Sequence, residues 1–326
     1  MRTKKNLSFS GVYKEAFENY ITYKTALGCN IEYRVTLALH TLNGFLNKYE
    51  PNEVILTEQM AYEYVHQNSL LAPATVHAYE CRIRQFALYL RNVGYGSIYI
   101  YPEKHTKVAS DFVPYIFSSD EILRIFTATD QIVSTPNNPH YRIFFQTLIR
   151  LLYCTGMRIS EALHLKLEDV DFDNNILIVQ NSKGNVSRLV PFNEYIRSWL
   201  IKYQNESLTP NDSYFFESPR GGVRNRVAVG HTFQDVILPL AKIQRKPDNT
   251  GPRLHDIRHT YACHCLDKMV RSGADPFCAL PYLSTYMGHK GIESTEKYLR
   301  LTANHLGEIS NACHHIYEKG NGEYNE

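Results

Sequence analysis

The sequence predicts a mainly α protein with a small β-sheet (α+β), in which a helical N-terminal domain precedes a mixed α/β domain. Apolar residues recur at helical spacing between residues 10 and 93, a polar segment without this period follows, and a pair of strands interrupts a mostly helical second half. A chain of 326 residues is also long enough for two domains. We predict domains at 8–100 and 114–318, a linker at 101–113 and a tail at 319–326.

The N-terminal domain is predicted to be a helical bundle, with helices at about 10–27, 30–49, 57–68 and between Pro73 and Gly94. In the last helix, apolar residues three or four positions apart share one face: Val76, Tyr79, Ile83, Phe86 and Leu90. The helix at 30–49 has an equivalent face: Val35, Leu39, Leu42, Leu46 and Tyr49.

The second domain is predicted to begin with a helix capped by Ser118, whose first turn is acidic. A strongly apolar helix at 141–154 follows. The segments 176–181 and 187–192 flank a four-residue turn beginning at Ser182, which indicates a β-hairpin. A third strand is predicted at 213–218. From 228 to 316 the pattern is helical, with interruptions at 246–253 and 271–280.

The composition is 44% hydrophobic and 21% charged, which excludes disordered and fibrous classes. Because the net charge is only +2, a nucleic-acid surface would require local clusters of Lys and Arg. The N-terminus has no apolar region typical of a secretory signal. The apolar stretch 143–156 contains Gln146 and Arg150 and is too short to span a bilayer. We therefore predict a cytoplasmic protein without membrane association.

The seven cysteines are odd in number and irregular in spacing, which predicts reduced thiols rather than a disulfide framework. The triplet Cys263-His264-Cys265 lies near His255 and His259 and raises the question of a zinc site. No second pair of ligands completes a tetrahedral set, so no metal is predicted and the cysteines are interpreted as small buried residues.

Four strings carry charged and hydroxyl side chains suited to phosphodiester chemistry: CTGMRISEALHL at 154–165, SKGNVSRLVP at 182–191, LHDIRHT at 254–260 and MGHKGIESTEKYL at 287–299. In this order they resemble the tyrosine recombinases of the phage-integrase family, strongly over 112–305 and more weakly over 8–100. The resemblance implies a site-specific DNA recombinase with a helical, SAM-like DNA-binding domain and a mixed α/β catalytic domain.

The resemblance implies a set of catalytic residues: Arg158, Lys183, His255, Arg258, His289 and the nucleophile Tyr298. Guanidiniums stay charged and present forked donors that match phosphate, which suits the two arginines to the scissile phosphate. A neutral imidazole at His255 would accept the nucleophile's proton, and a charged one would donate to phosphate. A phenol has a pKa of about 10, so surrounding cations must favour the phenolate.

Several neighbours of this set are assigned from their positions. Lys183 lies in the tight connection of the hairpin and is preferred over Arg188 as the general acid, although Ser182 departs from the family's GKG form. Glu161 is three residues after Arg158 on one helical face and is predicted to orient its guanidinium. Charged neighbours of Tyr298 predict an exposed helix beside a cleft. His259 and His264 are interpreted as structural.

Basic clusters are candidates for DNA contact, with solvated surface as the alternative. The N-terminal cluster consists of Arg82, Arg84 and Arg91 with Lys14 and Lys24, and the C-terminal clusters are Arg220, Arg224 and Arg226, then Lys242, Arg245 and Lys246. Two basic halves would clamp double-stranded DNA through phosphate contacts. The resemblance further implies a homotetramer on DNA, a 3′-phosphotyrosyl intermediate, and no requirement for a cofactor, ATP or metal.

Two other functions stay open: a type IB topoisomerase-like enzyme and a non-catalytic DNA-binding protein of the same fold. The N-terminal helical domain favours recombination over the first, and the intact residue set disfavours the second. The interval from Arg258 to His289 is longer than in compact family members, and the extra stretch near 271–281 is predicted to be a loop. The segment after Tyr298 is predicted to dock on a neighbouring protomer or, alternatively, on its own domain, through a set of apolar residues: Leu299, Leu301, Leu306 and Ile309.

Overall fold

In the computed structural model the described residues are 7–29, 31, 33–103, 113–182, 186–207, 213–245, 251–288, 295, 298–299 and 301. The chain divides into two compact units, Met1–Asp111 and Phe112–Glu326. Helices dominate both units, and the three strands described form one sheet. The predicted class, mainly α with a small β-sheet, is therefore confirmed.

The N-terminal unit contains four helices: α1 (Lys14–Ala26), α2 (Tyr33–Leu46), α3 (Glu58–Val65) and α4 (Pro73–Asn92). Each lies within a segment where the sequence predicted a helix. The core joins α1 to α4 through Phe17 and Phe86, whose ring centroids are 4.1 Å apart. The predicted apolar face of α2 is shorter than expected, because Val35 is 41% exposed and Tyr49 is 37% exposed.

The second unit contains eight helices among its described residues: α5 (Ser119–Asp130), α6 (Tyr141–Thr155), α7 (Ile159–Leu163), α8 (Glu194–Ser207), α9 (Arg226–Thr232), α10 (Leu238–Leu240), α11 (Asp256–Arg271) and α12 (Pro276–Met287). Ser118 caps α5 as predicted: its Oγ accepts the Glu121 N–H at 3.2 Å, and the Glu121 carboxylate accepts the Ser118 N–H at 2.8 Å. None of the described helices is long and apolar enough to cross a bilayer.

The sheet is antiparallel, with strands β1 (Val170–Asp171), β2 (Ile176–Ser182) and β3 (Val186–Pro191) in that order. The predicted hairpin strands are confirmed, but the predicted strand at 213–218 is wrong. That segment makes only isolated bridges, and its adjacent Phe215 and Phe216 are both buried. A half-buried strand would point them to opposite faces, so the apolar run reflects core packing instead.

The segment 271–281, which the sequence predicted to be a loop, is mostly helical. Helix α11 ends at Arg271 and α12 already begins at Pro276. The Asp275 carboxylate accepts the N–H groups of Phe277 and Cys278 at 2.8 and 3.0 Å, and a proline at the first position suits a helix start. The correction matters because α12 ends at the candidate site.

Helix α6 crosses the core of the second unit and is buried along most of its length. Gly156 ends it with a left-handed backbone, φ +60°, and a side-chain Cβ at this position would overlap the Tyr261 ring. Glycine is therefore required here by backbone conformation and by close packing together. Arg158 follows this turn and precedes α7.

Gly156→Ala is expected to destabilise the second unit strongly. The left-handed conformation alone costs about 1–2 kcal/mol for alanine, and displacing the Tyr261 ring from its packing adds about 1–3 kcal/mol. The control is Gly273→Ala, where φ is +95° and no atom lies within 4 Å of the added Cβ. Thermal unfolding measures the loss of stability in the two variants. Equal losses of stability in the two variants would show that the Tyr261 contact contributes nothing.

Candidate active site

The C-terminal end of α12 is surrounded by three arginine side chains. Each donates to a different backbone carbonyl: Arg188 Nε to Tyr286 O at 3.0 Å, Arg258 Nη2 to Met287 O at 2.5 Å and Arg158 Nη2 to Gly288 O at 3.0 Å. Carbonyls at a helix end lack partners within the helix, and the helix dipole places partial negative charge there. The end of α12 thus holds three guanidiniums in one place.

Glu161 links two of these arginines from the opposite side. Its carboxylate accepts Arg158 Nη1 at 2.7 Å and both terminal nitrogens of Arg188 at 3.0 and 2.8 Å. The contact with Arg158 that the three-residue spacing predicted is present. Arg188, which the sequence offered only as an alternative to Lys183, forms a bidentate pair that joins β3 to α7. No local sequence pattern predicted that Arg188 would pair with Glu161.

Arg258 is the most deeply buried of the three arginines. Its Nη1 donates to Gly156 O at 2.6 Å, so it joins the end of α6 to the end of α12. Burial, together with the neighbouring charge of Arg158, lowers the pKa of Arg258 to about 10. The guanidinium is still charged at neutral pH. Three arginines and one carboxylate leave a positive site that favours an anion with several acceptor oxygens, such as a phosphodiester.

Tyr298 is fully buried, with 0% of its surface exposed. The prediction of an exposed helix at this position is therefore wrong, because Tyr298 and its neighbours Leu299 and Leu301 pack with apolar residues of α11 and α12. Burial raises the pKa of Tyr298 to about 12, while the charges of Arg258 and then Arg158 act to lower it. The phenol thus lies within the field of the two arginines that the sequence assigned to phosphate.

The two histidines at the start of α11 differ in environment. His255 is the exposed cap residue of the helix, and its ring meets the His259 ring edge-on at 5.0 Å. His259 is buried, and its Nδ1 lies 3.0 Å from the Tyr298 hydroxyl. The sequence placed His259 among structural residues. Its position directly after Arg258 was the one available signal that it shares the site.

The Nδ1 atom of His264, on the same helix, lies 2.9 Å from the Tyr153 hydroxyl. Within the described ranges, no group of three or more His, Cys, Asp or Glu side chains is arranged to hold a metal ion. Lys183 and His289 lie outside the described residues, as do Leu306 and Ile309 of the C-terminal segment. Leu299 and Leu301 pack against their own domain.

The basic residues proposed for DNA contact in the N-terminal unit are unequally exposed. Arg82 donates to the Tyr64 hydroxyl at 2.6 Å, and Arg84 donates to Tyr101 O at 2.6 Å. Both are half-buried, whereas Arg91 and Lys14 are exposed. Lys24 is half-buried and donates to Gln85 at 3.2 Å, so within this cluster Lys14 and Arg91 are the exposed members.

The second unit shows the same contrast. Arg224 is half-buried, with its guanidinium 4.0 Å from the centroid of the Phe144 ring, and burial lowers its pKa. Arg226, Lys242 and Arg220 are exposed, and Arg245 pairs with Asp235 at 3.1 Å. Lys246 lies outside the described residues. Because the Arg224 guanidinium packs on the Phe144 ring, it would have to leave this ring to contact DNA.

Glu161→Gln is expected to slow any reaction at this site by about 10–100-fold through misplacement of Arg158. A glutamine presents one carbonyl oxygen and an NH₂ group, which faces guanidinium donors instead of accepting from them. The effect is measured as the single-turnover rate of DNA cleavage, the reaction that the resemblance implies. Glu121→Gln is the matched control, because Glu121 occupies the same capping position on α5 and its carboxylate accepts from Ser118 N–H and the Tyr115 hydroxyl. Equal rates for the two variants would exclude an orienting role for Glu161.

Residues 116–305 match the Phage integrase family, which is more than half of the chain. The chain is 34% identical to an integrase/recombinase of Sinorhizobium fredii, y4rB, over 57% of this chain and 61% of that protein. It is 29% identical to the tyrosine recombinase XerC of Anoxybacillus flavithermus, over 63% of this chain and 62% of that protein. The alignments thus span about three fifths of these relatives' length.

Among solved structures, the fold resembles that of a lambda integrase in a tetramer bound to a Holliday junction. The TM-score is 0.58 at 15% sequence identity, covering 89% of this chain and 77% of that one. At this identity the likeness supports the fold alone. The family match covers all four strings. Three of them carry Arg158, Arg188 and Arg258, which the structure brings to the end of α12. The chain therefore belongs to the phage integrase family.

Proposed function

We propose that this protein is a site-specific DNA recombinase that breaks and rejoins DNA through a 3′-phosphotyrosyl intermediate. The observation that carries the proposal is the placement of Tyr298 in the field of Arg258 and Arg158, two guanidiniums fixed on backbone carbonyls. Preorganised donors of this kind stabilise the charge that develops on a phosphate under attack. Membership of the phage integrase family agrees with this chemistry.

In the proposed reaction the Tyr298 hydroxyl oxygen attacks the scissile phosphorus, the bond from phosphorus to the 5′ oxygen breaks, and a 5′-hydroxyl is released. Arg158 and Arg258 bind the non-bridging oxygens. A 5′-hydroxyl from a partner duplex then reverses the step, and the covalent bond conserves the energy, so no ATP is consumed. Because Tyr298 is buried, its surroundings must rearrange when DNA binds so that the phenol reaches the phosphate.

His255 and His289 complete the proposed set by analogy with the family. His255, exposed at the start of α11, is suited to donate to phosphate when protonated. Lys183 is proposed as the general acid that protonates the leaving 5′ oxygen.

Lys183→Ala is expected to slow cleavage of an ordinary duplex far more than cleavage of a duplex whose 5′ leaving oxygen is replaced by sulfur. Sulfur leaves without a proton, so a missing acid matters less. The two single-turnover rates are compared with those of Lys202→Ala, a half-exposed lysine on α8 paired with Glu206. Equal losses on oxygen and sulfur substrates would remove Lys183 from this role.

The proposed partners are double-stranded DNA and further copies of the chain. Exchange between two duplexes requires four cleavages, and a lambda integrase forms a tetramer on a Holliday junction. We propose a homotetramer on DNA, which the mass of the synapsed complex would test; a complex that never exceeds two protomers would contradict it. A cytoplasmic location stays a prediction from the sequence.

The deciding experiment is a selection for covalent adducts. The full chain is incubated in EDTA with duplexes that carry a randomised site and a nick, which lets the cleaved strand diffuse away, and adducts that resist SDS are recovered and sequenced. We expect adducts on a defined site without a divalent ion, since the arginines supply the charge stabilisation. A strict requirement for a divalent ion would contradict the mechanism.

A plasmid with two copies of the selected site separates the proposal from its rivals. Deletion or inversion between the sites identifies a recombinase. Relaxation of supercoils without exchanged products would instead identify a topoisomerase-like enzyme, and binding without any adduct would identify a non-catalytic DNA-binding protein. The topoisomerase-like alternative is less favoured because of the N-terminal helical domain. The non-catalytic alternative is less favoured because Tyr298 lies near two arginines that are suited to bind phosphate.

A further inference from the structure

His259 is the histidine that contacts the hydroxyl of Tyr298. It lies on α11 directly after Arg258, is buried, and has Nδ1 3.0 Å from the phenol oxygen. The two rings are tilted by 51° with centroids 5.7 Å apart, so the contact runs from the ring edge to the hydroxyl. His255 is exposed at the start of the same helix and touches His259 edge-on. The buried hydroxyl therefore has an imidazole nitrogen within hydrogen-bond distance.

A hydroxyl that attacks phosphorus has to lose its proton during the reaction. The Tyr298 phenol holds that proton tightly, because burial raises its pKa to about 12. In a buried site bulk water is not at hand to accept it. A neutral imidazole is the side chain best suited to accept a proton near neutral pH, and Nδ1 accepts when Nε2 carries the ring proton.

We propose that His259 is a catalytic residue, the general base that accepts the proton of Tyr298 during cleavage and returns it during rejoining. The inference rests on the proposed function. As the bond from the Tyr298 oxygen to phosphorus forms, the O–H electron pair stays on oxygen and the proton passes to His259 Nδ1. The bond from phosphorus to the 5′ oxygen breaks at the same time, and that oxygen takes its proton from Lys183.

The charges around the pair favour this direction of transfer. Arg258 and Arg158 stabilise the phenolate that forms on Tyr298. Arg258 is fixed on two carbonyls, which holds its charge close to the phenol in this structure. Asp256, one turn before His259 on α11, is bound by Arg253, and His255 is the remaining titratable neighbour on the helix. Burial separates both partners from competing water.

The test compares His259→Asn with His264→Asn in single-turnover adduct formation on the selected nicked duplex, across a pH series. Asparagine places a hydrogen-bonding group near the position of Nδ1 but cannot take up a proton. His264 is the matched control, because it lies on the same helix and its Nδ1 is 2.9 Å from another tyrosine hydroxyl, that of Tyr153.

We expect His259→Asn to lower the rate by about 10²–10⁴-fold at neutral pH, with a loss that shrinks as rising pH ionises the phenol without help. His264→Asn should leave rate and pH profile close to those of the wild type. A rate for His259→Asn near the wild-type rate would overturn the proposal. A loss that is the same at every pH would overturn it as well, since that result identifies a residue that only positions the ring.

A second measurement needs no variant and so does not depend on folding of His259→Asn. On a duplex with sulfur at the 5′ leaving position the leaving group takes no proton, so proton transfer in the rate-limiting step comes from Tyr298 alone. The wild type should cleave this duplex more slowly in D₂O than in H₂O, and equal rates would overturn the proposal. Absence of any wild-type adduct would instead contradict the proposed function.

Discussion

Tyr298→Phe is expected to abolish the covalent protein–DNA adduct while leaving the fold and the DNA affinity nearly unchanged. The substitution removes the attacking oxygen and keeps the ring, which is completely buried among residues of α11 and α12. Loss of the hydrogen bond to His259 should cost about 1 kcal/mol in the free energy of unfolding. Denaturing gels of the nicked-duplex reaction measure the adduct, and thermal unfolding measures the stability.

The control for this variant is Tyr282→Phe, on the neighbouring helix α12. Tyr282 is 74% exposed, so removal of its hydroxyl should change neither stability nor cleavage. Peptide mapping of the wild-type adduct provides an independent check. If DNA is found on another tyrosine, or if Tyr298→Phe still forms an adduct, the assignment of the nucleophile is wrong.

Arg258→Ala is expected to lower cleavage by at least about 10²–10³-fold, because it removes a preorganised donor for the phosphate oxygens. It should also lower the free energy of unfolding by about 1–3 kcal/mol, since the carbonyls of Gly156 and Met287 lose a buried donor. Single-turnover cleavage at a temperature well below the midpoint of unfolding separates the two effects.

The matched control is Arg271→Ala at the other end of α11. Its side chain is half-exposed and pairs with Asp267, so its loss should cost no more than about 1 kcal/mol. Cleavage by Arg271→Ala should match that of the wild type. If Arg258→Ala still cleaves the selected duplex at the wild-type rate, the phosphate-binding role of Arg258 is excluded.

The sequence alone determined the features that depend on neighbours within a few positions. Periodic apolar residues located the helices, Ser118 and Glu121 marked the start of α5, and the apolar strands of the hairpin predicted β2 and β3. The contact of Glu161 with Arg158 followed from their spacing of three. These features can be predicted from the sequence because helices and strands repeat every few residues, so neighbours in sequence are neighbours in space.

Local patterns failed where packing between distant segments decided the outcome. The run at 213–218 reads as a strand but is buried through both Phe215 and Phe216, and the stretch read as a loop near 271–281 is capped by Asp275 into α12. The charged neighbours of Tyr298 suggested exposure. Apolar contacts with α11 and α12 bury it instead, and those contacts are not coded in its own string.

Only the tertiary structure decided how the site is assembled. Arg158 reaches a carbonyl 130 residues away, Arg258 one 102 residues away, and Arg188 one 98 residues away. No periodicity encodes such distances. The sequence supplied the arginines and the tyrosine, but the folded end of α12 provides the carbonyls that fix the guanidiniums. Folding also places Nδ1 of His259, a residue interpreted from the sequence as structural, 3.0 Å from the hydroxyl of Tyr298. The reason is that α11 and Tyr298 pack in the same apolar cluster.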